Sequence, residues 1–348
     1  MSALLLPHAL LLQLAANPQS GVALPPHWGW LVILYFFLGG LAAGSYFIAT
    51  MLELVGDPRD EEAIRLGYLI AFPLVVVCGL LLVLDLGKPL RFWHMLIQSE
   101  RVPLPILKAW SPISVGSWVL TAFGFFAFVS FVGVLVEQGR LRWDPLVRAD
   151  RWARERPRPF SILWGIAGAF FAFFLAGYTG VLVTGTSLPF WHNARLMGGL
   201  FLASAASTSY ALMILLLLRR DRTAAGVTVA KLERADRLAI VLELIILAVM
   251  ILLLGSVARP MIAGGFGVVF WLGVVLLGLV TPLVLHWRRH RAAAAVVTPG
   301  GRVAAHASAG DGYRRAALSA TCVLVGGLLL RFVIVMSPQW PRVPLWYL

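Results

Sequence analysis

Long runs of apolar residues, almost free of charge, constrain this chain more than any other feature. The run "VVFWLGVVLLGLVTPLVL" (268–285) contains no ionisable side chain at all. About 20 such residues, coiled as a helix, match the hydrocarbon thickness of a bilayer. In that medium every backbone amide must find its partner within the protein, which leaves helices or closed barrels, and runs of this length select helices. The sequence places spans at 29–53, 66–88, 112–137, 159–183, 191–218, 236–257, 264–286 and 316–336. The stretch 159–191 is too long for one crossing, and "TGTSLPFW" (184–191) supplies the Gly and Pro of a turn between two.

The expected fold is therefore an all-α integral membrane protein of eight transmembrane helices, packed as two four-helix bundles. Residues 29–348 form its single domain, preceded by an N-terminal segment, 1–28. That segment opens "MSALLLPHALLLQLAA", without Lys or Arg, and reads as an interfacial helix rather than a secretory signal. Composition agrees: only 13% of the 348 residues are charged, roughly half the share in a soluble protein.

The net charge of +13 does not call for nucleic acid, since no nucleic-acid-binding module is present. The basic residues instead fall between the spans. Connections after the first, third, fifth and seventh carry a roughly three-to-one excess, which puts them in the cytoplasm and both termini outside. The long cytoplasmic loops are then 138–158, 219–235 and 287–315. The first includes an amphipathic stretch suited to an anionic leaflet, and the third, with "AAAAVVTPGGRVAAHASAGDG", reads as a flexible linker.

Ionisable residues in hydrocarbon are costly unless paired or hydrated, so they mark candidate chemistry. Asp85, Glu243 and Arg331 lie within spans, whereas Glu53, Glu137 and Asp236 read as solvated helix ends. "LDLGKPLRFWHML" (84–96) gathers Asp85, Lys88, Arg91 and His94 at the outer end of the second span, where Pro89 argues against continuous helix. These groups are either an interfacial anchor, with Asp85 paired to Lys88 or Arg91, or the wall of a site. Tyr178 falls in the outer half of the fourth span, as a packing aromatic or as a buried phenol in need of a hydrogen-bond partner. The alternating topology brings Asp85, His94, Tyr178, His192, His27 and Trp28 to one membrane depth.

Resident redox groups find no ligands here. Cys78 and Cys322 belong to no C-x-x-C run, so neither an iron–sulfur cluster nor zinc is expected. His8, His27, His94, His192, His286, His290 and His306 all lie at span ends or in loops, which argues against b-type haem. A secondary transporter and a passive anchor for soluble redox subunits are the rival classes.

Five blocks, "YFFLGGLAAGSYF" (35–47), "LDLGKPLRFWHML" (84–96), "SPISVGSW" (111–118), "YTGVLVTGTSLPFW" (178–191) and "GGLLLRFVIVMSPQ" (326–339), together resemble the NrfD/PsrC family. These are membrane subunits of polysulfide-reductase-type respiratory complexes. The resemblance implies a multi-pass subunit of a prokaryotic cell membrane that exchanges electrons with a quinone, menaquinone or ubiquinone, and is not catalytically complete alone. It implies as partners a ferredoxin-like subunit with four iron–sulfur clusters and a molybdopterin-type catalytic subunit. By the same resemblance the quinone site lies near the outer face, with Tyr178 bonded to a quinone carbonyl and Asp85 moving protons. Arg91 and His94 are secondary contacts. Some relatives carry a histidine in the first span where this chain has Tyr35; Tyr35 then stands as a donor there, and His27 or His94 is left as the substitute proton acceptor. Asp236, Glu243 and Arg331 are either a proton path towards the cytoplasm or a polar cluster bracing the helices.

Overall fold

The computed structural model describes residues 28–97, 111–186, 188–220, 226–287 and 305–339. Among them eight helices are long and apolar enough to cross a membrane, and no strand occurs. The expected N-terminal helix, with His8 and His27, lies outside the described residues, as does His290.

Helix α1, Trp30–Val55, ends where Gly56 leaves helical geometry, and a capping box between Asp57 and Asp60 starts the next segment. Helix α2, Glu61–Asp85, keeps Pro73 inside it and stops before Gly87-Lys88-Pro89. A proline disfavours helical backbone at the residue before it, and the glycine releases the preceding turn. The chain then makes a short 3₁₀ turn, Pro89–Met95, with a kink at Arg91. Helix α3, Pro112–Glu137, starts with proline in its first turn and Ser111 as cap.

The loop 138–158 contains helix α4, Asp144–Arg154, with exposed Trp143 just before it and exposed Trp152 within it. Helix α5, Arg158–Thr184, ends at the expected turn, followed by the short helix Pro189–Asn193. Helices α6, Met197–Arg220, and α7, Gly226–Leu254, complete the middle of the chain. Helix α8, Gly264–Trp287, is π-wound over Val269–Val280, and α9 covers Ala305–Met336.

Two boundaries correct the sequence reading. Helix α7 begins at Gly226, inside the expected loop 219–235, and α9 begins at Ala305, inside the expected linker. Hydropathy marks only the part of a helix that matches lipid. The first turns of α7 are charged on one side but bury Thr228, Val229 and Leu232 on the other.

Helices α1, α6 and α9 form the interior, with 72%, 67% and 61% of their apolar windows buried, against 28% for α7 and α8. Helix α1 packs on α2, α5 and α6, while α9 packs on α6 and α8. Small residues permit this closeness in lipid, where dispersion drives association. A Cβ at Gly44 would strike Ser209 and the Ala205 carbonyl, and one at Gly278 would strike the backbone of Gly326.

Away from the α1 start, one end of the fold is tied by ionic contacts. Asp60 is fully buried, accepting from Thr228 Oγ1 at 2.7 Å and pairing with Lys231 Nζ at 2.8 Å. Arg65 pairs with Glu61 and Glu137, and Tyr68 donates to Glu53. Glu53 and Glu137 are exposed helix-end carboxylates, as expected.

Candidate functional site

At the opposite end, α1 begins, α2 ends, α3 begins and α5 ends around a cavity of about 110 Å³. Trp28, Tyr35, Asp85, Met95, Gly116 and Tyr178 are among its walls. Tyr35 and Tyr178 are buried, whereas Asp85 is exposed at the rim. The cavity thus holds two phenols inside and a carboxylate at its opening.

Each wall has a local cause. The start of α3 is pinned to the 3₁₀ turn, because Trp118 Nε1 donates to the Leu96 carbonyl at 2.9 Å and Ser117 Oγ lies 3.8 Å from Met95 Sδ. The Tyr178 hydroxyl donates to the carbonyl of Pro112, the first residue of α3. Its ring lies against Gly116, where a Cβ would overlap it.

The segment 84–96 divides. Asp85 and Met95 line the cavity, while Lys88 and Arg91 are exposed and line no part of it. His94 stacks on Trp93 with ring centroids 3.7 Å apart and lines no part of the cavity. The anticipated pairing of Asp85 with Lys88 or Arg91 is not formed among the described residues. The break at Gly87–Pro89 reorients everything after Asp85, so helical spacing no longer predicts which residues share a face. His192 is exposed on the short helix beyond α5, next to Trp191, which is fully buried and donates to the Ile334 carbonyl at 2.8 Å.

A second polar cluster lies between α6, α7 and α9. Arg331 is 1% exposed; its guanidinium donates to Ser204 Oγ, to the Gly327 carbonyl at 3.0 Å and to the Phe201 carbonyl at 3.4 Å. The ring of Phe201 lies 5.2 Å from the guanidinium carbon. Glu243, also buried, interacts with Ser204 and with the Arg331 charge. Asp236 corrects the expectation of a solvated helix end: it is 1% exposed and accepts from Ser207 Oγ at 3.0 Å. The early start of α7 places it well inside the helix, facing α6.

His286 is likewise buried, with Nε2 2.9 Å from Ser319 Oγ. Among the described residues no group of three His, Cys, Asp or Glu side chains is arranged to hold a metal ion. A larger crevice of about 270 Å³ between α1, α5, α6 and α7 is lined only by Ala, Gly, Phe, Leu and Ile, and offers no polar group to a reacting molecule.

Residues 19–310 match the family model described as "Polysulphide reductase, NrfD". The chain belongs to the NrfD family. It is 30% identical over 330 residues to a polysulfide reductase chain of Wolinella succinogenes, an alignment that takes in 90% of this protein and 94% of that one. Protein NrfD of Escherichia coli is 28% identical over 330 residues, with 90% and 95% aligned. A selenate reductase subunit of Mesobacillus selenatarsenatis shares 38% identity over 74 residues, only 21% and 17% of the two proteins.

In this NrfD protein the family match spans every named residue of the cavity wall. Among the lining residues to which the sequence assigned no role are Met95, Gly116 and Leu182. Gly116 sits inside the quoted block "SPISVGSW", but a lone glycine in a span reads as general helix packing. Only its position under Tyr178 separates it from the other small residues.

Proposed function

We propose that this NrfD subunit exchanges electrons between a membrane quinone/quinol pool and an iron–sulfur partner subunit, with the quinone headgroup held at the Tyr35–Asp85–Tyr178 cavity. The partner is a ferredoxin-like four-cluster protein, itself joined to a molybdopterin-type catalytic subunit. The relatives named as parts of polysulfide and selenate reductases support this placement in a reductase complex. The observation that carries the reading is the convergence of two buried phenols and one rim carboxylate on a single cavity at one end of the helices.

The residues suit a reaction that moves two electrons together with two protons. Quinol oxidation releases both protons as the electrons leave, so each oxygen needs a partner connected to water. With the oxidised quinone in place, Tyr178 offers its hydroxyl to one carbonyl oxygen, exchanging the Pro112 carbonyl for an acceptor of the same kind. Asp85 lies at the rim, where its carboxylate takes the two substrate protons in turn and passes each outwards before accepting the next. Tyr35 contributes a second phenol from α1. Arg91 and His94 contact the headgroup only if the turn 89–95 shifts on binding.

By the charge excess of the loops, this end faces outwards. A transporter site is expected near the midplane between broken helices; the end-on position of this cavity favours redox exchange. The Asp236–Glu243–Arg331 cluster is the candidate route for protons towards the cytoplasm. Arg331 meets α1 at Gly40, five residues beyond Tyr35, about 7 Å along the helix axis and on a different flank.

Tyr178→Phe tests the reading. The variant complex assembles with its normal subunits and loses quinol-linked turnover by roughly 100-fold, the scale of one lost general acid–base contact. Unchanged turnover in an assembled complex removes Tyr178 from the site.

A further inference from the structure

Gln339 lies just past the end of α9 and is buried. Its side chain reaches the residues that lead into α1, 311 positions earlier in the sequence. The amide oxygen accepts from the Trp28 backbone N–H at 3.1 Å, and the amide nitrogen donates to the Trp28 carbonyl, also at 3.1 Å. The same nitrogen donates to the Val335 carbonyl at 2.7 Å. Trp28 precedes the helical ladder of α1, whose first bond runs from Ile33 N–H to the Gly29 carbonyl. Neither backbone group of Trp28 therefore has a helical partner, and one primary amide satisfies both. Only Asn and Gln combine a donor and an acceptor in this fork, and only Gln has the longer stem.

Trp28 is held from its other sides as well. Its ring stacks on Trp191 at 5.1 Å and 27°, and meets the Phe36 ring edge-on at 5.9 Å. Trp191 is itself anchored to α9 through the Ile334 carbonyl. The indole so fixed lines the cavity with Tyr35, Asp85 and Tyr178.

We infer that Gln339 is a positioning residue for the quinone headgroup, acting through Trp28 as a wall of the cavity. This rests on the quinone reading proposed above. Gln339 does not line the cavity, so its loss leaves Tyr178 and Asp85 in place and loosens only the surface against which the headgroup packs. A contact made equally in the bound and transition states changes KM and leaves kcat alone.

The test is quinol-linked turnover of the assembled complex in native membranes, comparing wild type, Gln339→Leu, Gln339→Glu and Tyr178→Phe. Gln339→Leu keeps the approximate shape and removes both bonds to Trp28 together with the one to Val335; Gln339→Glu keeps the acceptor and removes the donor. Both raise the quinol KM by roughly tenfold with kcat within about twofold, while Tyr178→Phe lowers kcat. In a Trp28→Ala background, adding Gln339→Leu changes KM no further, because the side chain it positions is gone. A wild-type KM in both Gln339 variants, with turnover lost in Tyr178→Phe, overturns the inference and leaves the quinone reading standing. If Tyr178→Phe also retains full turnover, the quinone reading falls and the inference with it. A reduced yield of complex with normal KM in the assembled fraction identifies Gln339 as a brace for α9 and likewise overturns it. Should Gln339→Leu not assemble, the Gln339→Glu measurement decides by the same criteria.

Discussion

Gly116 leaves the space that the ring of Tyr178 occupies: a single methyl group at position 116 would overlap the phenol. The two residues come from different helices, α3 and α5, and their fit fixes where the Tyr178 hydroxyl points within the cavity.

Gly116→Ala is therefore the least intrusive way to displace that hydroxyl. Overpacking of this kind costs about 1–3 kcal/mol, which a membrane protein of eight helices tolerates while staying folded. The expected outcome is an assembled complex whose quinol-linked turnover falls about as far as in Tyr178→Phe. Subunit ratios in purified complex, measured beside turnover, check it. Full activity would show that the phenol position is immaterial.

Asp85 sits at the cavity rim with no ion pair to Lys88 or Arg91 among the described residues. As the group that carries substrate protons outwards, it contributes one limb to the pH profile of turnover. Asp85→Asn cannot take up that proton. The variant is expected to lose this limb while retaining quinone-analogue binding, and a profile superimposable on wild type excludes the proton role.

Arg331 is enclosed by Ser204, Gly327, Phe201 and the charge of Glu243. Both side chains are buried and meet through Ser204, so removing the Arg331 charge leaves the Glu243 carboxylate in the interior without its nearest compensating charge. Arg331→Met should markedly lower the thermal stability of the detergent-solubilised protein. Adding Glu243→Gln should restore part of the loss, since both charges are then absent. A double variant no more stable than the single one breaks the assumed pairing.

Helices α8 and α9 meet backbone to backbone at Gly278 and Gly326. Gly326→Ala forces the two apart and should destabilise by about 1–3 kcal/mol. Gly312→Ala, at the start of the same membrane-crossing stretch and with open space around it, should change stability little. Equal melting temperatures for the two variants would contradict the close approach.

The eight crossings were legible because hydropathy and length act locally: each apolar run must bury its own backbone bonds. The turn between the fourth and fifth spans was legible for a similar reason, through Gly and Pro in "TGTSLPFW". The ends of α7 and α9 were not. The outlying turns of α7 are held by packing partners distant in sequence, as Thr228 is held by Asp60. The charged surface of those turns conceals the buried side.

The residue types of the cavity were likewise visible in the sequence, and Tyr35, Asp85 and Tyr178 do face one space. Their neighbours Arg91 and His94 do not line it: the backbone changes direction at Gly87–Pro89 and no periodic rule extends across that break. Asp236 moved from helix end to interior for a related reason: its depth depends on where α7 begins.

By itself, then, the sequence determined that the protein is a set of eight membrane-length helices and that Asp85, Glu243 and Arg331 fall within their apolar runs, since both follow from the local cost of apolar and charged groups in each solvent. Only the tertiary structure decided which of those residues share a cavity. It set Gly116 beneath Tyr178 and joined Gln339 to Trp28 across almost the whole sequence. Such contacts depend on how helices pack and where their ends bend, and those are properties of the assembled helices rather than of any one segment.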